Sequence, residues 1–212
     1  GLDLIVTDHH EPGSTLPAAL SVINPRRSDC PYPDKNLAGV GVTLKLVQAL
    51  CQRTGHTQWL PAFTKIAALG TIADMVPLLG ENRVIAKLGL QQLSKGPNTT
   101  GLRALLESTG LQGETLTSFH VAFRLAPRIN AAGRMSTPDL ATRLLLLADE
   151  GSLAEAKLLA KQLESENLRR KEEEINILTA ARHRVDKDPD VGAHAILIVW
   201  GQGWHRGVIG IV

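Results

Sequence analysis

Four side chains in this chain are of the types that hold divalent metals and handle phosphate: Asp8, His9 and His10 in a row, and Asp74 within ALGTIADMVPLLGENR. An ionised carboxylate and a neutral imidazole are natural ligands for a hydrolytic Mn²⁺ or Mg²⁺ centre, and a second imidazole beside them can contact a phosphate or shuttle a proton. The plainer reading of Asp8, His9 and His10 is a polar exit from a strand whose histidines bond locally. Asp74 sits in an otherwise apolar stretch. An unpaired carboxylate there costs several kcal/mol to bury, so a metal or a cationic partner is expected; a helix cap or a pair with Arg83 are the alternatives.

Two further segments carry cations. FRLAPRINAAGRM places Arg124, Arg128 and Arg134 around Asn130, with Pro127 and Gly133 forbidding a long regular helix. Arginines on a tight loop make a fork for phosphate oxygens, with surface salt bridges as the alternative. WGQGWHRGVIGIV frees the backbone at Gly201, Gly203, Gly207 and Gly210 around His205 and Arg206, bringing amides and an arginine onto an anion. Neither this loop nor the GVG at Gly39–Gly41 matches a phosphate-loop or dinucleotide fingerprint, so ATP- or NAD-type cofactors are unsupported. With few aromatic residues, extensive base stacking is not evident.

The elements that must position these groups are legible in outline. Leu2–Thr7 reads as a buried parallel strand broken by Glu11–Gly13, and Leu20–Pro25 as a second. Ligands collect outside the carboxyl ends of such strands, where Asp8, His9 and His10 stand. LAGVGVTLKLVQALCQRTG reads as a helix stopped by Gly55, and WLPAFTKIAALGTIADM as another with Pro61 near its first turn. Gly70 indicates close backbone packing. Asn82 and Thr100 are candidate caps of the next two helices. Ser118 starts a helix ended by Pro127. Thr137 caps a further one with Pro138 at its first position, Leu140, Leu144 and Leu147 on one face, and Gly151 beyond its end. Ser152 and Glu155 form a capping-box pattern opening a helix from Leu153 to about Val185, with Glu166 and Arg170 at pairing distance. At about 1.5 Å per residue it is about 50 Å long, a solvated surface helix or a bridge between two domains. KDPDVG breaks it, and His194–Trp200 reads as a fresh strand.

Composition sets the remaining bounds. The chain has 212 residues, 43% hydrophobic, with a formal charge of +2, enough for an ordinary core and too mild to announce a nucleic-acid binder by bulk charge. Cys30 and Cys51 have neither disulfide-framework nor zinc-site spacing, which fits a reducing cytosol. No apolar run approaches the roughly 18–20 residues of a membrane span. An apolar strand pattern opens the chain and an apolar GVIGIV closes it, so we expect a piece of a longer protein.

Taken in order, VTDHHEPG, INPRRSDCPYPDKNLAGVGVTLKL, ALGTIADMVPLLGENR, RLAPRINAAGRM and GWHRGVIGIV closely resemble the signatures of the DHH phosphoesterase superfamily and, within it, the bacterial RecJ family of single-strand-specific exonucleases. The resemblance spans nearly the whole chain. It implies an α/β fold: a parallel-sheet DHH domain, its largely helical C-terminal part over residues 1–150, a linking helix over 151–188, and the start of a DHH-associated domain over 189–212. It implies His9 and Asp74 as ligands of a two-metal Mn²⁺ or Mg²⁺ site, Asp8 as their support and His10 against the scissile phosphate. Arg128, Asn130 and Arg134 then lie near the DNA path, and His205 and Arg206 help hold the strand. Two dications about 3.5–4 Å apart need several carboxylates, so the site is only partly contained in this chain and the isolated residues are expected to be inactive. The implied activity is metal-dependent 5′→3′ hydrolysis of single-stranded DNA in repair and recombination. The implied partners are single-stranded DNA, single-strand-binding protein and helicases, for a cytoplasmic monomer without membrane contact. A small-oligonucleotide or cyclic-dinucleotide phosphodiesterase and a catalytically dead DHH scaffold are the competing readings.

Overall fold

The computed structural model describes residues 1–97, 99–187 and 194–212. It is a mixed α/β structure, mostly helical, with one small parallel sheet. The chain divides into two compact units, Gly1–Asn98 with Thr109–Ala126, and Thr99–Ser108 with Pro127–Val212.

In the first unit β1 (Ile5–Thr7) and β2 (Ser21–Ile23) pair in parallel, with Val6 opposite Val22. The Asp8 amide donates to the Ile23 carbonyl at 3.0 Å, carrying the ladder one residue into the DHH run. The strand is shorter and less buried than its apolar composition predicts. Leu2 is 98% exposed and Leu4 and Ile5 about half so, because among the described residues nothing packs over them. Thr7 Oγ1 meets Thr43 Oγ1 at 3.0 Å, tying β1 to α1 (Gly39–Thr54). Gly55 ends α1 at φ 74°, its amide on the Cys51 carbonyl, as its sequence position requires.

Helix α2 (Leu60–Ala73) carries Pro61 in its first turn and crosses α1 at Gly70, where a Cβ would lie 2.8 Å from Val40 Cγ1. Close packing is therefore the reason for Gly70. Leu37, Val42, Ala67 and Ile85 form the core between these helices and α3 (Gly80–Ser94). Asn82 does not cap α3. It lies fully buried inside the first turn, because its amide has tertiary work: Nδ2 donates to the carbonyls of Asn36 (2.6 Å) and Pro77 (3.1 Å), and Oδ1 accepts from the Ala38 amide (3.2 Å).

Ser118 does open a helix, α5 (Ser118–His120), capped by Thr117 and His120 bonding reciprocally. Pro127 does not end it. A π turn over Val121–Leu125 intervenes, with the Ala126 amide reaching back to the Val121 carbonyl, and Pro127 becomes the second residue of α6 (Ala126–Met135). The widened turn removes the carbonyl clash that a proline makes in a regular helix.

In the second unit α4 (Thr100–Ser108) is capped by Thr99, whose Oγ1 accepts from the Leu102 amide. Thr100, expected at the cap, instead donates its hydroxyl to the Asp149 carbonyl at 2.7 Å. The cap of α7 (Asp139–Leu146) is Pro138 rather than Thr137, one residue later than expected, although Thr137 Oγ1 still accepts from the Asp139 amide. That helix stops short of the position marked by Gly151, because Leu147 turns extended and its carbonyl takes the Gly101 amide. Helix α8 (Leu153–Val185) has the bounds read from the sequence, and it buries Ala156, Leu159, Ala160 and Leu163 while packing on α4 and α7. Its capping box is not formed: Ser152 Oγ donates to Asp149, and Glu155 pairs with Arg143. Its central charges pair as Glu166–Arg169 and Arg170–Glu174 rather than Glu166–Arg170. KDPDVG lies, apart from Lys187, outside the described residues. His194–Trp200 forms no strand, since none of the described residues offers it an edge; Ile196, Ile198 and Trp200 stay exposed. Among the described residues no helix is long and apolar enough to cross a membrane.

Candidate functional site

The carboxyl ends of β1 and β2 present the first unit's polar cluster. His9, whose side chain is 17% exposed, directs Nε2 to within 3.4 Å of Asp74 Oδ2. The sheet and the end of α2 thus bring together two residues far apart in the sequence. Asp74 is the C-terminal boundary residue of α2, its amide on the Gly70 carbonyl. The helix dipole disfavours a negative charge there, so a cation beside Asp74 offsets a local cost. Met75, next in line, has φ 60°, a left-handed backbone that turns the chain sharply after the carboxylate.

Asp8 and His10 form the second half of the cluster. His10 Nδ1 lies 2.8 Å from Asp8 Oδ1, which also accepts the His10 amide at 3.3 Å. The hydrogen bond from His10 holds the Asp8 carboxyl below its ordinary range. That bond leaves Nε2 as the working nitrogen of the exposed His10 ring. The His9 and His10 rings lie 4.4 Å apart.

Supporting residues come from tertiary contact. Asn24, nearly buried, donates Nδ2 to the His10 carbonyl at 2.8 Å and accepts the Arg26 amide, pinning the backbone of the DHH run. Gly39 opens α1 against His9, where a Cβ would lie 3.2 Å from Cδ2. Asn82 ties the loop after Asp74 to residues 36 and 38. The sequence reading of the residues misses all three. An Asn-Pro dipeptide at a strand end and the GVG run were the available signals, and neither points to chemistry by itself.

As a metal site the donors fit in kind and are few in number. Two ligands each about 2.1 Å from an octahedral dication stand about 3.0 Å apart, close to the His9–Asp74 separation. Imidazole nitrogen with carboxylate oxygen is a set that Mn²⁺ accepts. Among the described residues no group of three or more His, Cys, Asp or Glu side chains gathers to hold a metal.

The cationic residues lie mostly in the second unit. The segment expected to be a loop is helical: Arg128, Asn130 and Arg134 all sit on α6, because the π turn absorbs the proline and Gly133 fits a helix interior. Arg128 pairs with Glu164 of α8 and is largely buried, whereas Asn130 is exposed. Arg134 donates Nη1 to the Gly207 carbonyl at 3.1 Å, fixing the turn that carries His205 and Arg206. His205 Nδ1 accepts the Gly207 amide, which leaves Nε2–H as the ring's donor, and Arg206 beside it is exposed. Arg124, in the first unit, donates to the Thr109 carbonyl.

Residues 1–71 match the DHH family, N-terminal domain. The whole chain is similar to single-stranded-DNA-specific exonuclease RecJ of Dickeya dadantii, at 37% identity over 38% of that protein, and to that of Bacillus subtilis, at 40% identity over 26% of it. The chain thus spans well under half the length of these curated relatives. Among solved structures it resembles Mn²⁺-bound RecJ of Thermus thermophilus, with a TM-score of 0.82 and 38% identity, covering 100% of this chain and 30% of that one. The Mg²⁺-bound form of the same protein gives 0.76.

Proposed function

We propose that this chain belongs to the RecJ group of the DHH family and that the protein containing it is a metal-dependent 5′→3′ exonuclease that hydrolyses phosphodiester bonds of single-stranded DNA during repair and recombination. The observation that carries the reading is the 3.4 Å approach of His9 Nε2 to Asp74 Oδ2 beside the Asp8–His10 pair. His9 and Asp74 would hold Mn²⁺ or Mg²⁺ together with donors from the rest of the protein, and such a metal would supply phosphate polarisation and water activation. Asp8 fixes the His10 ring through Nδ1, so that Nε2 is the nitrogen free to meet a phosphate oxygen or the leaving group.

Asn130 faces outward from α6 and, with His205 Nε2–H and Arg206, lies along the DNA path; Arg134 positions the turn carrying the last two. Arg128 contributes through α6, since its guanidinium is held by Glu164. The same proposal includes the division into a DHH domain, a linking helix and a DHH-associated domain, a cytoplasmic monomer, and single-strand-binding protein and helicases as partners.

The test is hydrolysis of end-labelled single-stranded DNA by the full-length protein carrying His9→Ala or Asp74→Ala. Loss of about a thousandfold or more, several kcal/mol of transition-state stabilisation, is expected for each with the unfolding midpoint preserved. Near-normal rates in either variant would exclude the ligand assignment.

A further inference from the structure

Arg184, in the last turn of α8, stands over two indoles. Its guanidinium carbon lies 5.3 Å from the Trp204 ring centre and 5.7 Å from that of Trp200. The two rings are held differently. Trp204 packs against Met135, Ile177 and Val208, and Gly201 permits its close approach, since a Cβ there would lie 2.3 Å from Trp204 Cε2. Trp200 is 76% exposed, an unusual state for a large flat side chain that gains much from burial. Trp204 therefore anchors the guanidinium, and the guanidinium in turn braces Trp200.

Both ring contacts engage the face of the Arg184 guanidinium, and its five N–H donors lie along the edge of that plane. Arg184 and Trp200 both line a cavity of about 540 Å³, together with His194 and Ile196. That volume is in the range of sites for nucleotide-sized ligands. The turn bearing Trp204 runs directly into His205 and Arg206, so the indole–arginine stack is continuous with the cationic turn already described.

We propose that Arg184 and Trp200 form a binding step for single-stranded nucleic acid, with an unpaired base stacking on the free face of Trp200 and the adjoining phosphate on the edge of Arg184. A ring face next to a cationic fork matches a base next to its phosphate, and a duplex keeps its bases stacked away from such a platform. The assignment rests on single-stranded DNA being the substrate and adds the residues that grip it.

The experiment is fluorescence anisotropy of a labelled oligothymidylate with the full-length protein in EDTA, so that binding is read without turnover. Trp200→Ala is expected to weaken binding about tenfold, the order of one stacked base, while Trp200→Phe keeps most of the affinity. Arg184→Met is expected to weaken binding about tenfold and to lower the slope of log affinity against log salt by about 0.7, one phosphate on a single strand; Arg184→Lys restores the slope. Wild-type affinity in both Trp200→Ala and Arg184→Met overturns this inference and leaves the exonuclease reading standing. Equal losses in Trp200→Phe and Trp200→Ala assign Trp200 to packing and also overturn it. Failure of the wild type to bind the oligonucleotide overturns both readings.

Discussion

A methyl group at position 39 would press on the His9 ring at 3.2 Å from Cδ2, closer than ordinary side-chain contact. Either the ring or the start of α1 must give by a few tenths of an ångström, and the ring is the softer of the two. Gly39→Ala should therefore act on the metal rather than on the fold. The expected outcome is a metal concentration for half-maximal activity raised about tenfold in the full-length protein, the scale of disturbing the surroundings of a metal ligand, with little change in the unfolding midpoint. An unchanged metal dependence would show that His9 is not a ligand or that α1 yields instead. At this scale the sequence declares the groups that react and conceals those that aim them. Asp8, His9, His10 and Asp74 are legible because a carboxylate or imidazole in an apolar setting calls for a partner. Gly39, Asn24 and Asn82 act through contacts with residues distant in sequence, such as Asn24 with His10 and Asn82 with Asn36, and the local signals around them do not point to chemistry.

Helices whose ends depend on local chemistry were legible, and those whose ends depend on neighbours were not. Gly55, Pro61 and the breaker-free run from Leu153 to Val185 mark their helices from within. Pro127 was misleading because a π turn accommodates it, and the Leu147 carbonyl ends α7 by serving the Gly101 amide instead. Glycines inside helices show the same division, with opposite signs for stability. A Cβ on Gly89 of α3 would lie 2.2 Å from Ala68 Cβ and 2.6 Å from the Thr64 carbonyl of α2. Overpacking of about 1–3 kcal/mol or more outweighs the ~1 kcal/mol gained in helix propensity, so Gly89→Ala should destabilise the first unit. Gly133 of α6 is exposed, and its nearest neighbour to a Cβ is Pro138 at 3.9 Å. Gly133→Ala should leave packing alone and stabilise by about 0.5–1 kcal/mol. Urea unfolding of the two variants beside the parent checks both signs, and a stabilising Gly89→Ala would refute the α2–α3 contact.

For the molecule as a whole, charge and donor count limit what these residues can do by themselves. Lys and Arg number 23 against 21 Asp and Glu, so no general positive field draws DNA in, and affinity must come from placed groups. The same holds for metal. His9 and Asp74 supply one imidazole nitrogen and one carboxylate, and Asp8 is already engaged with His10. A pair of dications held about 3.5–4 Å apart repels strongly and is stable only where several carboxylates offset the charge. Two donors leave most of an ion's shell to water, and sites so poor in charged ligands hold divalent ions no more tightly than about 0.1–1 mM. Calorimetric titration of residues 1–212 with Mn²⁺ should accordingly show at most one weak site, and no metal-dependent release of nucleotides from single-stranded DNA should follow. His9→Ala and Asp74→Ala should each abolish that weak site, which separates it from scattered surface binding. Two micromolar sites, or nuclease activity from these residues alone, would mean that the chain completes the centre with carboxylates not gathered there in this structure, and the division of the site between this chain and the rest of the protein would have to be abandoned.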